Sequence, residues 1–102
     1  VSPEITRTNM DAIVKTLSER NIPTFIVGML ASPSLGPDYE AAFNSIFPDL
    51  AKKYDVPLYP FFLDGVATIP SLNQDDGIHP TKEGVAIIIE KMGPFVKEAL
   101  SR

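Results

Sequence analysis

A carboxylate and the only histidine of the chain stand three residues apart, as Asp76 and His79, in the segment Asp-Gly-Ile-His-Pro. An imidazole that acts as a general base needs a partner that fixes its tautomer, and a carboxylate three residues upstream can reach Nδ1 through one short loop. The pair would supply two of the three members of a hydrolytic triad, without the nucleophile. The alternatives are that Asp76 caps a turn while His79 precedes a helix, or that Asp75, Asp76 and His79 hold a metal ion. One histidine beside two carboxylates is a poor ligand set, so we expect no metal or other cofactor.

The composition is that of one ordinary globular domain. The chain has 102 residues, of which 44% are hydrophobic and 22% charged, and its apolar runs are far shorter than the roughly 20 residues that span a bilayer. A net charge of −4 without a Lys/Arg cluster provides no surface for binding phosphates, so we expect no nucleic-acid partner and no membrane insertion. The lack of cysteine excludes thiolate catalysis but suits several compartments equally well.

Helical and strand patterns alternate along the chain and predict an α/β fold. The predicted elements are helices over residues 2–20, 39–54 and 81–100 and strands over residues 24–29 and 56–62. Pro48 is expected to kink or split the second helix, and Pro94 to bend the third. The last helix is expected to turn Val85, Ile88 and Ile89, with Met92 and Val96, toward the core. The order αβαβα implies a parallel sheet with right-handed crossovers and helices on both faces.

Two parallel strands are too few to form a stable sheet. Parallel strands are buried on both faces and need neighbours, so the chain alone would expose an open sheet edge. The sequence also begins at Val1 without an initiator methionine. We therefore expect residues 1–102 to be the C-terminal part of a single domain, whose N-terminal half is absent through cleavage or truncation.

The loop after the first predicted strand lies on the side of a parallel sheet where ligands bind. Met29, Leu30 and Leu35 in this region could line an acyl-chain groove or could be core residues at the end of the strand, and the sequence leaves both open. Ser32 and Ser34 could act as nucleophiles, but the composition around them favours a plain loop.

Three segments of the chain resemble conserved regions of one known family. Residues 75–84, Asp-Asp-Gly-Ile-His-Pro-Thr-Lys-Glu-Gly, are similar to the family's last conserved block, where the Asp and His of a Ser-Asp-His triad stand three residues apart. Residues 54–62 resemble the edge strand before that block, and residues 28–39 resemble a loop that borders the acyl pocket. The family is that of the SGNH (GDSL) hydrolases, and the resemblance is to its thioesterase I and arylesterase branch.

The resemblance implies a flavodoxin-like three-layer α/β/α sandwich with about five parallel strands, of which this chain would supply the last two. The Gly-Asp-Ser nucleophile block, the oxyanion-hole glycine and the Gly-x-Asn-Asp block precede this segment in the family. They do not occur in these 102 residues. The expected partner of the chain is therefore the complementary N-terminal fragment of the same enzyme, and the resemblance leans toward a periplasmic location.

The activity implied by the resemblance is that of a serine esterase or thioesterase on a small acyl-ester or thioester substrate. His79 would act as general base and then as general acid, and Asp76 would orient it. Because the base must be neutral, we expect activity to fall as the pH drops through about 6.5, the reference pKa of histidine. The other function class that the sequence leaves open is a non-catalytic α/β binding or interaction domain.

Overall fold

The computed structural model describes residues 2–101 and divides after Pro60 into two units. The elements are helices α1 (Pro3–Glu19), α2 (Pro37–Asn44), α3 (Ile46–Tyr54) and α4 (Lys82–Leu100), strands β1 (Ile26–Val27) and β2 (Leu58–Tyr59), and short 3₁₀ helices at Pro33–Leu35 and Pro70–Leu72. The first unit contains α1 to α3 and both strands, and the second contains α4. Within residues 2–101, none of the helices has the length and apolar character needed to cross a membrane.

The first helix begins at the residues that the sequence indicates. The Ser2 hydroxyl accepts the backbone N–H of Ile5 at 3.3 Å, and Pro3 occupies the first helical position. A side-chain acceptor at this place satisfies one of the backbone donors left over at a helix start. The prediction of a capped helix here is confirmed.

The helix predicted over residues 39–54 is two helices, which meet at Ser45. Pro48 is the third residue of α3 and cannot donate a hydrogen bond to the carbonyl of Asn44, four residues before it. The proline ring would also clash with that carbonyl in a continuous helix. The expected break is confirmed, and it falls one turn before the proline because the lost bond joins Pro48 to the preceding turn.

The two strands pair in parallel, with Ile26 opposite Leu58. The backbone N–H of Ile26 donates to the carbonyl of Pro57 at 2.9 Å. Both strands are shorter than predicted, because Pro57 and Pro60 flank β2 and have no N–H to extend the ladder. The α/β fold with a parallel sheet is confirmed, while the third layer and the remaining strands stay predictions.

The core of the first unit lies between α1, α3 and β1. Its buried members are Val14, Ile26, Ile46, Phe47, Leu50 and Ala51. Side chains of α3 dominate this set because Ile46, Phe47, Leu50 and Ala51 recur at helical spacing on one face. This packing fixes the helix pair beside the sheet and so positions the loop that follows β1.

A polar cluster also joins α1 to α3. Lys53 Nζ lies 2.8 Å from Asp11 Oδ2, and the Tyr54 hydroxyl donates to Asp11 Oδ1. The hydrogen bond from Lys53, followed by that from Tyr54, lowers the pKa of Asp11. The same bond to Asp11 raises the pKa of Tyr54, because a phenolate could no longer donate it.

In the second unit, α4 begins at Thr81, whose Oγ1 accepts the N–H of Gly84 at 3.2 Å. The helix runs through Pro94 to its end at Leu100. Ile88 is buried as predicted, but Val85 and Ile89 are 44% and 64% exposed. The prediction that these two side chains point into a core is therefore wrong for this chain. They lie along an open apolar groove, because no part of residues 61–101 covers that side of α4.

Candidate active site

Asp76 and His79 lie on one tight loop between the second 3₁₀ helix and α4. Gly77 follows Asp76 with a φ of +68°, a conformation that costs a glycine little and lets the chain reverse within two residues. Asp76 Oδ1 accepts the backbone N–H groups of Ile78 at 2.9 Å and of His79 at 3.1 Å. Its other oxygen, Oδ2, lies 2.7 Å from His79 Nδ1. The short spacing seen in the sequence thus becomes direct contact between carboxylate and imidazole.

The contacts of Asp76 favour its ionised form. The hydrogen bond from the His79 ring, followed by those from the N–H groups of Ile78 and His79, lowers the pKa of Asp76 from 3.8 to about 2. A carboxylate can only accept, so the neutral imidazole carries its proton on Nδ1. The lone pair then stays on Nε2, the nitrogen that a general base would use. The His79 side chain is 69% exposed, so another group can reach the ring.

Backbone hydrogen bonds close the loop at its base. The N–H of Gln74 donates to the carbonyl of His79 at 2.8 Å. Asn73 and Pro80 form an antiparallel bridge directly beyond that bond. The loop therefore begins and ends on paired backbone groups, which restrict where His79 can move.

The start of α4 packs closely on the segment before the loop. A Cβ atom added at Gly84 would lie 2.3 Å from the carbonyl oxygen of Leu72, in the second 3₁₀ helix. The side chains of Pro80 and Val66 lie at 3.1 and 3.2 Å from the same point. Only a glycine at this position lets the two flanks of the loop approach so closely.

The other predicted site residues belong to the first unit. Met29 packs against the core of that unit, which favours the interpretation of it as a core residue. Leu30 and Leu35 are 49% and 55% exposed, so their side chains are available for contact. Their role in substrate binding stays a prediction.

Ser32 and Ser34 serve the loop that contains them. The Ser32 hydroxyl accepts the N–H of Ser34 at 3.3 Å and lies 2.8 Å from the Ser34 hydroxyl, at the start of the Pro33–Leu35 helix. This is the geometry of a helix cap, at a place where the composition predicted a plain loop. Within residues 2–101, no group of three or more histidine and acidic side chains is arranged to hold a metal ion.

Sequence reasoning missed two residues that bear on the loop. The side-chain amide of Asn73 donates to the carbonyls of Val66 at 2.8 Å and Ile69 at 3.0 Å. Thr68, between those carbonyls, has a φ of +67°. Asparagine side chains commonly form hydrogen bonds with backbone groups in turns, so the residue type at position 73 is a weak sequence signal for this contact. No sequence signal points to a threonine in the left-handed region, where β-branched residues are rare.

Comparison with known proteins supports the resemblance drawn from the motifs, although no family model matches the chain. The chain is 34% identical over 90 residues to thioesterase 1/protease 1/lysophospholipase L1 of Escherichia coli (strain K12), covering 88% of this chain and 43% of that protein. It is 31% identical over 88 residues to an arylesterase of Vibrio mimicus, covering 86% and 44%. The crystal structure of AlinE4, an SGNH-hydrolase family esterase, matches with a TM-score of 0.71 and 43% identity, covering 98% of this chain and 53% of that one.

The chain is similar to SGNH-hydrolase family proteins over about half of their length, and its α/β fold is that of the matching structures. The predicted resemblance is confirmed. The chain spans about half the length of the curated relatives it matches.

Proposed function

We propose that this chain, joined to the N-terminal half of its domain, forms a serine hydrolase of small acyl esters or thioesters. His79 is the general base and Asp76 its orienting partner, while the N-terminal half provides the serine and the oxyanion hole. The two halves together make up the whole enzyme. The single observation that carries the proposal is the 2.7 Å contact between Asp76 Oδ2 and His79 Nδ1.

The proposed reaction uses the free nitrogen of His79 twice. Nε2 takes the proton of the serine hydroxyl as the serine oxygen attacks the carbonyl carbon of the ester, giving a tetrahedral oxyanion. Collapse of that intermediate breaks the bond to the alcohol or thiol, which receives the proton from Nε2. A water molecule then gives a proton to Nε2 as its oxygen attacks the acyl carbon. Collapse of the second tetrahedral intermediate breaks the bond to the serine oxygen, which takes the proton back from Nε2, and releases the acid. Asp76 Oδ2 accepts the hydrogen bond from Nδ1–H throughout and stabilises each imidazolium as it forms, while the proton stays on Nδ1.

The names of the matched proteins support this chemistry. They are a thioesterase, an arylesterase and an esterase, all of which act on acyl bonds. An imidazolium can protonate an alcohol leaving group, and a thiolate is a good leaving group on its own, so one mechanism serves esters and thioesters. Leu30 and Leu35 are proposed to contact the acyl chain, because both present exposed apolar side chains in the loop after β1.

The apolar groove along α4 is proposed as a docking surface for the N-terminal half. Its lining includes Phe62, Val85, Ile89, Met92, Val96 and Leu100. Ile89 and Leu100 are 64% and 78% exposed, and each apolar side chain removed from water stabilises a fold by about 1.5–3 kcal/mol. The matched relatives are about twice as long as this chain, so they have residues available to cover such a face.

Fluorophosphonate labelling of the whole enzyme, followed by intact-mass analysis and peptide mapping, tests the proposal. The reagent bonds to an activated serine, so we expect one adduct on a serine outside residues 1–102 and much slower labelling in the His79→Ala variant. An adduct on Ser32 or Ser34 would contradict the assignment of the nucleophile to the other half. No adduct on any serine would overturn the hydrolase proposal in favour of a binding domain.

A further inference from the structure

The side-chain amide of Asn73 donates hydrogen bonds to two backbone carbonyls just before the Asp76–His79 loop. Nδ2 of Asn73 donates to the carbonyl oxygen of Val66 at 2.8 Å and to that of Ile69 at 3.0 Å. An asparagine amide has two hydrogens, so one group can satisfy both acceptors. Both bonds come from the same nitrogen atom, so they fix the first and last residues of the four-residue turn at residues 66–69 relative to each other.

The turn at residues 66–69 contains a threonine in a backbone conformation that threonine disfavours. Thr68 has a φ of +67°, where the branched Cβ crowds the following carbonyl. Such conformations persist only when surrounding contacts hold them. The N–H of Ile69 donates to the carbonyl of Val66 at 3.2 Å, and the Asn73 amide adds two bonds across the same turn. The amide is therefore a main restraint on Thr68.

The backbone of the same asparagine begins the catalytic loop. Asn73 pairs with Pro80 in an antiparallel bridge, and Pro80 directly follows His79. The N–H of Gln74, the next residue after Asn73, donates to the carbonyl of His79 at 2.8 Å. A shift of Asn73 toward or away from the turn therefore shifts the base of the loop that carries His79.

We propose that Asn73 is a positioning residue, whose amide holds the strained 66–69 turn and thereby fixes His79 with respect to the serine. The inference rests on the proposed function, since it concerns the same reaction. The Asn73 amide donates to two backbone carbonyls rather than to the side chain of Asp76 or His79, so it acts through the loop base. The amide bonds offset the backbone strain at Thr68.

The effect expected of Asn73→Ala in the whole enzyme is a fall in kcat of about 10- to 100-fold with KM nearly unchanged, because a displacement of about 1 Å between reacting groups costs rates of this order. Asn73→Asp should behave alike, since a carboxylate cannot donate to the two carbonyls. Asn73→Gln keeps both amide hydrogens one methylene further out. It should lower kcat at constant KM while retaining the fold.

Thr68→Gly supplies the sharper test, because glycine adopts a positive φ without strain. In the Thr68→Gly background the turn should keep its shape without the amide, so adding Asn73→Ala should cost about tenfold less in kcat than it does with Thr68 present. Asn9→Ala, which changes an exposed asparagine on α1, is the matched control and should leave kcat unchanged. Active enzyme is counted in every variant by fluorophosphonate titration, so loss of folded protein is not mistaken for loss of rate.

The outcomes separate this inference from the proposed function. A wild-type kcat in Asn73→Ala and Asn73→Gln, with His79→Ala inactive, would overturn the role of Asn73 and leave the proposed function intact. The same loss in both Thr68 backgrounds would overturn the link between the amide and the strained turn. Full activity of His79→Ala would overturn the proposed function itself. A fall in kcat that Thr68→Gly largely rescues is the result that supports the inference.

Discussion

Asp76 holds His79 at two places at once: Oδ1 accepts its backbone N–H at 3.1 Å, and Oδ2 lies 2.7 Å from Nδ1 of its ring. A single carboxylate thus fixes the ring with respect to its own backbone. The arrangement needs only one loop and two short-range contacts. All of its atoms therefore lie in the second unit of this chain.

The pKa of Asp76 predicts the shape of the pH profile of the whole enzyme. Since that pKa is lowered to about 2, the carboxylate is ionised over the working pH range. The acidic limb of kcat/KM should then show no ionisation of Asp76 at its ordinary value of 3.8. Steady-state rates on a simple ester test this prediction. An ionisation of Asp76 near pH 4 would contradict it, since the carboxyl would then titrate at its ordinary value.

The lowered pKa of Asp76 also determines how the stability of the fold changes with pH. A folded-state pKa below the ordinary value of 3.8 means that the contacts of Asp76 stabilise the fold fully above that value and are lost as the pH falls through about 2. NMR titration of the Asp76 carboxyl carbon should therefore show a midpoint well below 3.8. A midpoint at or above 3.8 would indicate that the hydrogen bonds to His79 and Ile78 are absent in solution.

Gly84→Ala should destabilise the enzyme by about 1–3 kcal/mol, because the new methyl group would overlap the carbonyl of Leu72 and force the start of α4 away. Urea unfolding measures the change. Glu90→Ala, at an exposed position of the same helix, is the control and should lie within about 0.5 kcal/mol of wild type. Equal stability of the two variants would show that the close approach at Gly84 is not required.

Asp11→Asn should bring the pKa of Tyr54 back toward 10.0, because the hydrogen bond to Asp11 is what chiefly raises it. The neutral tyrosine is the donor, so the stabilisation is present below pH 10 and is lost as the pH rises through the raised pKa. Alkaline absorbance titration compared with wild type measures the shift. The control Asp38→Asn, an exposed position on α2, should leave the titration unchanged.

Ile89→Glu should destabilise the whole enzyme by more than about 2 kcal/mol, since the N-terminal half is proposed to cover the groove and an unpaired charge would be buried there. Thermal unfolding beside the Glu90→Ala control measures the effect. A stability equal to that of wild type would mean that the α4 groove stays open in the whole enzyme.

The dyad could be predicted from the sequence because its geometry is local. Asp76 and His79 are close in sequence, and one glycine turn brings their side chains into contact. The helix starts at Ser2 and Thr81 could be predicted for the same reason, since each cap bonds to a residue three positions on. A contact between residues three positions apart can be predicted from the sequence of that short segment alone.

Features that depend on contacts with residues elsewhere in the fold could not be predicted from these patterns. Ile89 has the spacing of a core residue but is 64% exposed, because the spacing of apolar residues on a helix does not show whether another element packs against that face. The strand lengths depend on which neighbouring backbone groups can donate, and two prolines decide that for β2. The conformation of Thr68 depends on an asparagine five residues away, whose contact with the turn no periodicity reveals.

The most direct test of the account compares kcat of Asp76→Asn with that of Asp75→Asn in the whole enzyme. The two substitutions remove the same charge at adjacent positions, but only Asp76 bonds to the His79 ring. We expect Asp76→Asn to lower kcat by about 10²- to 10⁴-fold, as loss of the carboxylate does in serine-protease triads, while Asp75→Asn stays close to wild type. Equal activity of the two variants would contradict the assignment of Asp76 and His79 as the catalytic dyad.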